Sequence, residues 1–296
     1  MLVIDSICKS YGDISVLDQL DLDLSEGEIY GLLGTNGAGK TTLINILCQL
    51  LNPDSGQIFI DGLPNSKAPR RLIGISPQEN LLYRSLTCVE HLEFFGNLYG
   101  ISGLSLKSRT IYCLNAVGLD GKAHTLAEAL SGGMQRRLSL AIAMIHQPKL
   151  LILDEPTAGL DLESRHDVWS LIERLRRGGM TILMTTHLLD EVEYLCDRVG
   201  ILHQGHILVE GSIEALRSQI AAHQLLLIKS KQIAQVLKRA RELGWIHRDY
   251  AGEMVFWLPQ SFTMIDIVHL FDGINLDSII FLPVGLKHVF LEVTKQ

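Results

Sequence analysis

The stretch GTNGAGKTT, residues 34–42, constrains this chain more than any other. It matches G-x-x-x-x-G-K-[ST], with an apolar run, EIYGLLG, before it and a helical pattern over 40–51 after it. A strand that turns through glycines into a helix is the opening unit of an α/β fold. Glycine removes the Cβ that would keep a bulky anion from the backbone. The N–H groups of Asn36, Gly37, Ala38, Gly39 and Lys40 can cup a β-phosphate. The Lys40 ammonium would reach β and γ oxygens, and the Thr41 hydroxyl would ligate Mg²⁺. A chance glycine-rich turn is the alternative, and the strand and helix on either side argue against it.

KLLILDEP, 149–156, is a continuous apolar run ending in carboxylates, the pattern of a central parallel strand buried on both faces. Asp154 at its end can hold hydrated Mg²⁺. Glu155 can orient or deprotonate an attacking water. Taken alone, adjacent carboxylates after an apolar run also mark a helix start or a turn; beside a matched phosphate loop the hydrolytic reading prevails. TILMTTH, 181–187, is a second such strand. His187 ends it, where ligands bind in open α/β sheets, and is a candidate γ-phosphate contact. Gln78, at the end of RLIGISPQ, could reach Mg²⁺ or the water through its amide oxygen. Tyr11, ahead of the loop, could stack on a base.

A second glycine-marked helix start lies in ALSGGMQRRLSLA, 129–141. Ser131 can cap it, and Gly132 and Gly133 leave its first N–H groups open to an anion. Leu138, Ala141, Ile142 and Ile145 follow at helical spacing. A helix end contributes at most about 2 kcal/mol toward an anion, whereas even millimolar binding needs about 4 kcal/mol. This start is too weak to capture a nucleotide unaided.

The remaining pattern divides the chain. Short strands are expected over 2–33. GQIFIDG leads to an Asp-Gly turn, and Thr87 with Glu90 forms a capping box ahead of a helical insert at about 80–147. VGILHQGHILVEG reads as a hairpin turning at Gln204-Gly205. Beyond about residue 220 the order β-α-β-β-α-β, closed by a short helix, predicts a small α+β domain of ferredoxin-like type. The expected domains are therefore 1–219 and 220–296. Trp245, Phe256 and Trp257 are read as core of the second. A net charge of −7 argues against a nucleic-acid partner. The five cysteines have no paired spacing and are expected as reduced thiols. No apolar run approaches the roughly 18 residues of a membrane helix, and the start, MLVIDSICKSYGD, does not read as a signal peptide.

The order Tyr11, GTNGAGKTT, Gln78, LSGGMQ, LLILDEP, GLD at 159–161 and His187 strongly resembles the ATP-binding cassette (ABC) ATPases over roughly residues 2–215. The resemblance implies a P-loop (RecA-like) core with an antiparallel β subdomain and a helical subdomain. It implies ATP and Mg²⁺ as cofactors. By it, Tyr11 stacks adenine and Gly34, Thr35, Asn36, Gly37, Ala38, Gly39, Lys40, Thr41 and Thr42 bind phosphates. Thr41, Gln78 and Asp154 serve Mg²⁺. Glu155 is the catalytic base, helped by Lys40 and by His187 as γ-phosphate switch. Two cassettes face each other head to tail, so Ser131, Gly132, Gly133, Met134 and Gln135 of one close on the nucleotide of the other, with Asp161 as a cross-dimer contact.

Two departures stand out: Met134 where many members carry glutamine, and GLDLESR without the proline common after GLD. SGGMQRRL and the ending GLKHVFLEVTKQ resemble the branch that powers drug-efflux and polysaccharide or lipid exporters. That branch implies a partner ATPase (a second copy or a homologous subunit), a separate membrane-spanning subunit and a peripheral location on the cytoplasmic face of the cell membrane. Leu81, Leu82 and Tyr83 are expected to line a groove for a helix of that subunit. A soluble cassette acting on ribosomes or DNA is the alternative, disfavoured by a single cassette without heptad runs.

Overall fold

The computed structural model describes residues 1–250 and 253–295. Two compact units divide the chain, Met1–Gly211 and Ser212–Gln296. The boundary falls earlier than residue 220. The short helix α7 (Ile213–Arg217) packs on the last helix, α10 (Leu286–Val293), and buries Leu216 completely.

In the first unit, β1 (Leu2–Tyr11), β2 (Ile14–Leu24), β4 (Ser55–Ile60) and β5 (Leu63–Pro64) form an antiparallel sheet in the order β2-β1-β4-β5. The Asp61-Gly62 turn joins β4 to β5 with both residues at positive φ. A second sheet has the order β10-β9-β3-β8-β7-β6. It contains β3 (Ile29–Gly34), β6 (Ile73–Ser76), β7 (Leu150–Asp154), β8 (Thr181–Thr186), β9 (Arg198–His203) and β10 (His206–Gly211). Only β10 runs antiparallel, through the expected turn at Gln204-Gly205.

The apolar run of β7 is continuous because both of its faces are covered. Ile152 packs on one side with Leu32, Leu43 and Leu17, beneath α1 (Lys40–Leu47) and the antiparallel sheet. Leu151 and Leu153 pack on the other with Leu138 and Ala141 of α4 (Gly132–Met144) and Leu171 and Ile172 of α5 (Leu162–Arg177). Each fully buried Leu or Ile contributes about 1.5–3 kcal/mol. The first helix is shorter than the sequence pattern over 40–51: it stops at Leu47, and Gln49 takes a left-handed φ of 57°. Leu50 N and Leu51 N then both turn back onto Asn45 O, so apolar spacing continues where the helix does not.

The helical part holds α2 (Cys88–Leu98), α3 (Gly103–Ala116) and α4. The predicted capping box forms: Thr87 Oγ1 accepts from Glu90 N, and Glu90 Oε2 accepts from Thr87 N at 2.8 Å. The insert's first helix begins at Cys88, and the residues between β6 and Thr87 are a loop. That loop is fixed by buried His91, whose Nδ1 donates to Thr87 O at 2.8 Å while Nε2 accepts from Tyr83 N at 3.0 Å. After α5 and β8 comes the short helix α6 (Leu189–Leu195). All five cysteines are free thiols.

The second unit carries β11 (Gln224–Lys229), α8 (Ile233–Glu242), β12 (Ile246–Tyr250), β13 (Glu253–Leu258), α9 (Met264–Leu270) and β14 (Ser278–Leu282). Its sheet is antiparallel in the order β12-β13-β11-β14, the ferredoxin-like arrangement. Trp245 and Phe256 lie in its core with Leu226, Ile267 and Phe271. Trp257, next along β13, falls on the other face by the two-residue period and is covered by the Arg248 guanidinium at 5.0 Å.

Candidate active site

Four parallel strands end on one edge of the central sheet, and each delivers a different group. β3 runs into the glycine loop, β8 ends before His187, β7 ends in Asp154 and β6 ends two residues before Gln78. Strand β8 lies between β3 and β7, so the phosphate loop and the carboxylates are spaced one strand apart. Residues 35–42 with Val16, Gln78, Asp154 and Glu155 line a cleft of about 450 Å³. A larger cavity of about 600 Å³ opens between the end of α1 and β4–β5, away from these strand ends, and has no carboxylate among its lining residues.

The loop enters α1 through Gly39, at φ 113°, with no side-chain cap. A Cβ there would lie 2.7 Å from Leu17 Cδ2 and 2.9 Å from Val16 O, so glycine is required twice over. The first N–H groups of α1 are left for a ligand. Thr35, Asn36, Gly37 and Thr41 are exposed, whereas Gly34, Ala38, Gly39 and Lys40 are buried and Thr42 is half-buried. Lys40 Nζ donates to Gly34 O at 2.7 Å and Thr35 O at 3.2 Å, and stands 3.7 Å from Glu155 Oε1.

Glu155 is the hub. Its carboxylate is also met by Gln78 Nε2 at 3.2 Å and His187 Nδ1 at 3.1 Å, both on Oε2. It is 7% exposed although His187 and Gln78 stand at the surface. Its backbone is left-handed, φ 46°, a conformation that costs a non-glycine residue about 1–3 kcal/mol and clusters at functional sites. Asp154 is oriented separately: Thr185, its register partner on β8, donates from Oγ1 to Asp154 Oδ1 at 2.5 Å.

The other sequence-predicted residues lie apart from this cleft. Tyr11 is half exposed at the end of β1 and is not among the lining residues. Neither are Ser131, Gly132, Gly133, Met134 or Gln135. Ser131 Oγ caps α4 by accepting from Met134 N at 3.3 Å, and Ser131 and Gly132 are exposed. Gly133 is buried, with Ser164 Oγ 2.7 Å from where its Cβ would be, so α4 and α5 touch at their starts. Met134 packs into the helical core, and Gln135 Nε2 holds Ala127 O and Leu130 O. Asp161 caps α5, accepting from Ser164 N at 2.8 Å; that N–H holds its carboxyl below the usual range.

Three residues escaped the sequence reading. Thr185 works through strand register, Arg136 through backbone carbonyls distant in sequence, and Glu191 through burial. Glu191 Oε1 accepts from Thr157 Oγ1 at 2.8 Å and Trp169 Nε1 at 3.2 Å, and burial pushes its carboxyl up. Only the TT before His187 hinted at any of them.

A mostly parallel sheet with a phosphate loop and a carboxylate pair at its strand ends is a P-loop NTPase. Comparison narrows the class. The family described as ABC transporter matches residues 17–158. The linearmycin resistance ATP-binding protein LnrL of Bacillus subtilis is 40% identical over 230 residues, 76% of this chain and 74% of that protein. The Nod factor export ATP-binding protein I of Bradyrhizobium diazoefficiens is 36% identical over 289 residues, 97% and 94% of the two chains. Among solved structures, a dimeric cassette in a post-hydrolysis state with ADP and Pi is 28% identical with TM-score 0.64, covering 72% of this chain and 98% of that one. The cbiO1 protein of Clostridium perfringens, part of the transporter complex cbiONQ, has TM-score 0.69 and 26% identity over 82% and 96%. The chain belongs to the ABC transporter ATP-binding proteins and is an ATPase of the exporter type.

Proposed function

We propose that this ATPase works as a head-to-tail pair, with a second copy or a homologous subunit, and drives export through separate membrane-spanning subunits. In this reading loop residues 34–42 hold the phosphates and Tyr11 stacks the adenine. Glu155 takes a proton from water as its oxygen attacks the γ-phosphorus. The bond to the β-phosphate oxygen breaks, and ADP and phosphate are released. Lys40 steadies the γ oxygens and His187 senses them. Asp161 contacts the partner across the dimer.

The observation that carries the reading is the incompleteness of the cleft. Its lining supplies loop, base and strand-end groups, while the exposed start of α4 at Ser131 and Gly132 stands outside it. A second chain's Ser131–Gln135 segment would close it. That predicts turnover rising with the square of concentration at high dilution; a constant rate per molecule would overturn the pair.

Mg²⁺ fits the donors present. Thr41 and Gln78 offer exposed oxygens, and Asp154 is pre-oriented by Thr185. Such an all-oxygen set with few protein ligands suits a cation that keeps waters and phosphate oxygens. When bound, the ion would offset charge on the β and γ oxygens.

Among the described residues no helix is long and apolar enough to cross a membrane, so export needs a partner. Leu81 and Tyr83, 70% and 52% exposed, follow Gln78, and Phe94 stands 5.6 Å from Tyr83 edge-on. They form the surface we assign to the membrane subunit, at the cytoplasmic face of the cell membrane. Leu82 is not part of it, since it packs into the helical core. Leu81→Asp should release the chain from membranes with its ATPase intact; unchanged membrane co-purification would count against that surface. Two relatives are named for linearmycin resistance and Nod factor export; in this reading the cargo is chosen by the membrane subunit.

A further inference from the structure

Arg136 is a buried cation on α4 whose hydrogen bonds all go to backbone carbonyls. It is 3% exposed. Nε donates to Pro156 O at 2.7 Å and Nη2 to Asp154 O at 2.7 Å. Nη1 reaches Pro77 O and, at 3.3 Å, Gln78 O. The first two carbonyls flank Glu155 on either side, and the peptide units between them carry its left-handed φ of 46°. Burying a guanidinium is costly when an apolar side chain could fill the space. The planar fork can grip two carbonyls on one segment while a third N–H group reaches a different loop, which a lysine ammonium cannot do.

We propose that Arg136 is a positioning residue for the hydrolytic base. It clamps the strained turn that aims the Glu155 carboxylate at Lys40, Gln78 and His187, and it ties that turn and the Gln78 loop to the helix begun by Ser131. A partner's nucleotide that draws on the start of α4 therefore acts, through Arg136, on the base and Gln78 of this chain's own site. The proposal rests on the reading of Glu155 and Ser131 given above. It adds a direct mechanical link between the surface that senses one nucleotide and the base that hydrolyses the other. Released from the clamp, the Glu155 turn relaxes toward ordinary backbone angles and its carboxylate leaves the water. The phosphate loop, which Arg136 does not touch, keeps its affinity.

The test is a double-mutant cycle in the full chain, reading kcat, KM for ATP and thermal midpoint with Mg²⁺ present. Arg136→Lys is expected to lower kcat roughly 10- to 100-fold, the cost of a small misplacement of a reacting group, with KM within about threefold. In a Glu155→Gln background the same change should add less than about threefold, because the group it positions is already disabled. Arg136→Gln is the second variant if lysine is not accommodated, and is read the same way. A fall in kcat, ATP affinity and thermal midpoint together would mean a merely structural role and overturn the proposal. So would a full multiplicative loss in the Glu155→Gln background, or wild-type kcat in Arg136→Lys when Glu155→Gln is slow. A Glu155→Gln variant that turns over normally removes the base assignment itself, and the proposal with it.

Discussion

Helices α1 and α4 of the first unit both have glycine at their start, and they begin differently. Helix α1 starts at Gly39 with no side-chain cap, and its lysine bends back on the loop's own carbonyls. Helix α4 starts at Ser131, whose hydroxyl already accepts one of the free N–H groups, and its nearest cation, Arg136, is buried one turn in. The first start keeps its donors inside a cleft together with a base. The second spends a donor on its own cap and shows what remains to the outside. A glycine-marked start thus serves capture in one place and surface recognition in the other, because capping and burial set what a helix end can bind.

The largest effect expected on this contrast comes from Glu155→Gln. Nucleotide binding at α1 should persist while turnover falls by roughly 10² or more, trapping an ATP-bound pair visible by size-exclusion chromatography; wild-type turnover would break the assignment. Next is Lys40→Ala, which should weaken ATP binding roughly 10- to 100-fold, the value of charge-assisted hydrogen bonds, measured by equilibrium titration. Ser131→Ala should lower stability by about 1 kcal/mol as a lost cap. It should also slow turnover of the pair while leaving ATP affinity of the dilute chain unchanged; if affinity fell as it does for Lys40→Ala, the two starts would not differ in kind.

The smallest effect concerns Glu191, on α6, whose carboxylate accepts from Thr157 and from Trp169 of α5. Its folded carboxyl titrates above the ordinary value of 4.5 because burial disfavours the charge. Its stabilising contribution is therefore complete below that value and is lost as pH rises through the raised one. Glu191→Gln keeps an acceptor for Thr157 and Trp169 and should flatten the fall of the thermal midpoint as pH rises above 4.5. An unchanged profile would mean the carboxyl is not the titrating group.

Legibility followed locality. The phosphate loop, the apolar β7 with its terminal carboxylates, the Thr87–Glu90 cap and the Gln204-Gly205 turn are each encoded within a dozen residues, and all were readable. The unit boundary lies before residue 220 because α7, which follows the hairpin in sequence, buries Leu216 in the second unit. Helix α1 is shorter than its apolar pattern because Leu50 and Leu51 keep that pattern after Gln49 has turned the chain. Leu82 adjoins Leu81 and Tyr83 in sequence, yet its side chain goes into the core.

From sequence alone came the class of chemistry, since a phosphate loop needs specific residues at consecutive positions, and the α/β plan, since strands buried on both faces must be apolar throughout. Tertiary structure alone decided who holds the site in shape. Thr185 reaches Asp154 by strand register, and Arg136 joins carbonyls from two loops more than seventy residues apart in the chain. Hydrogen bonds to the backbone leave no trace in residue identity at the accepting end, so no spacing could have announced them.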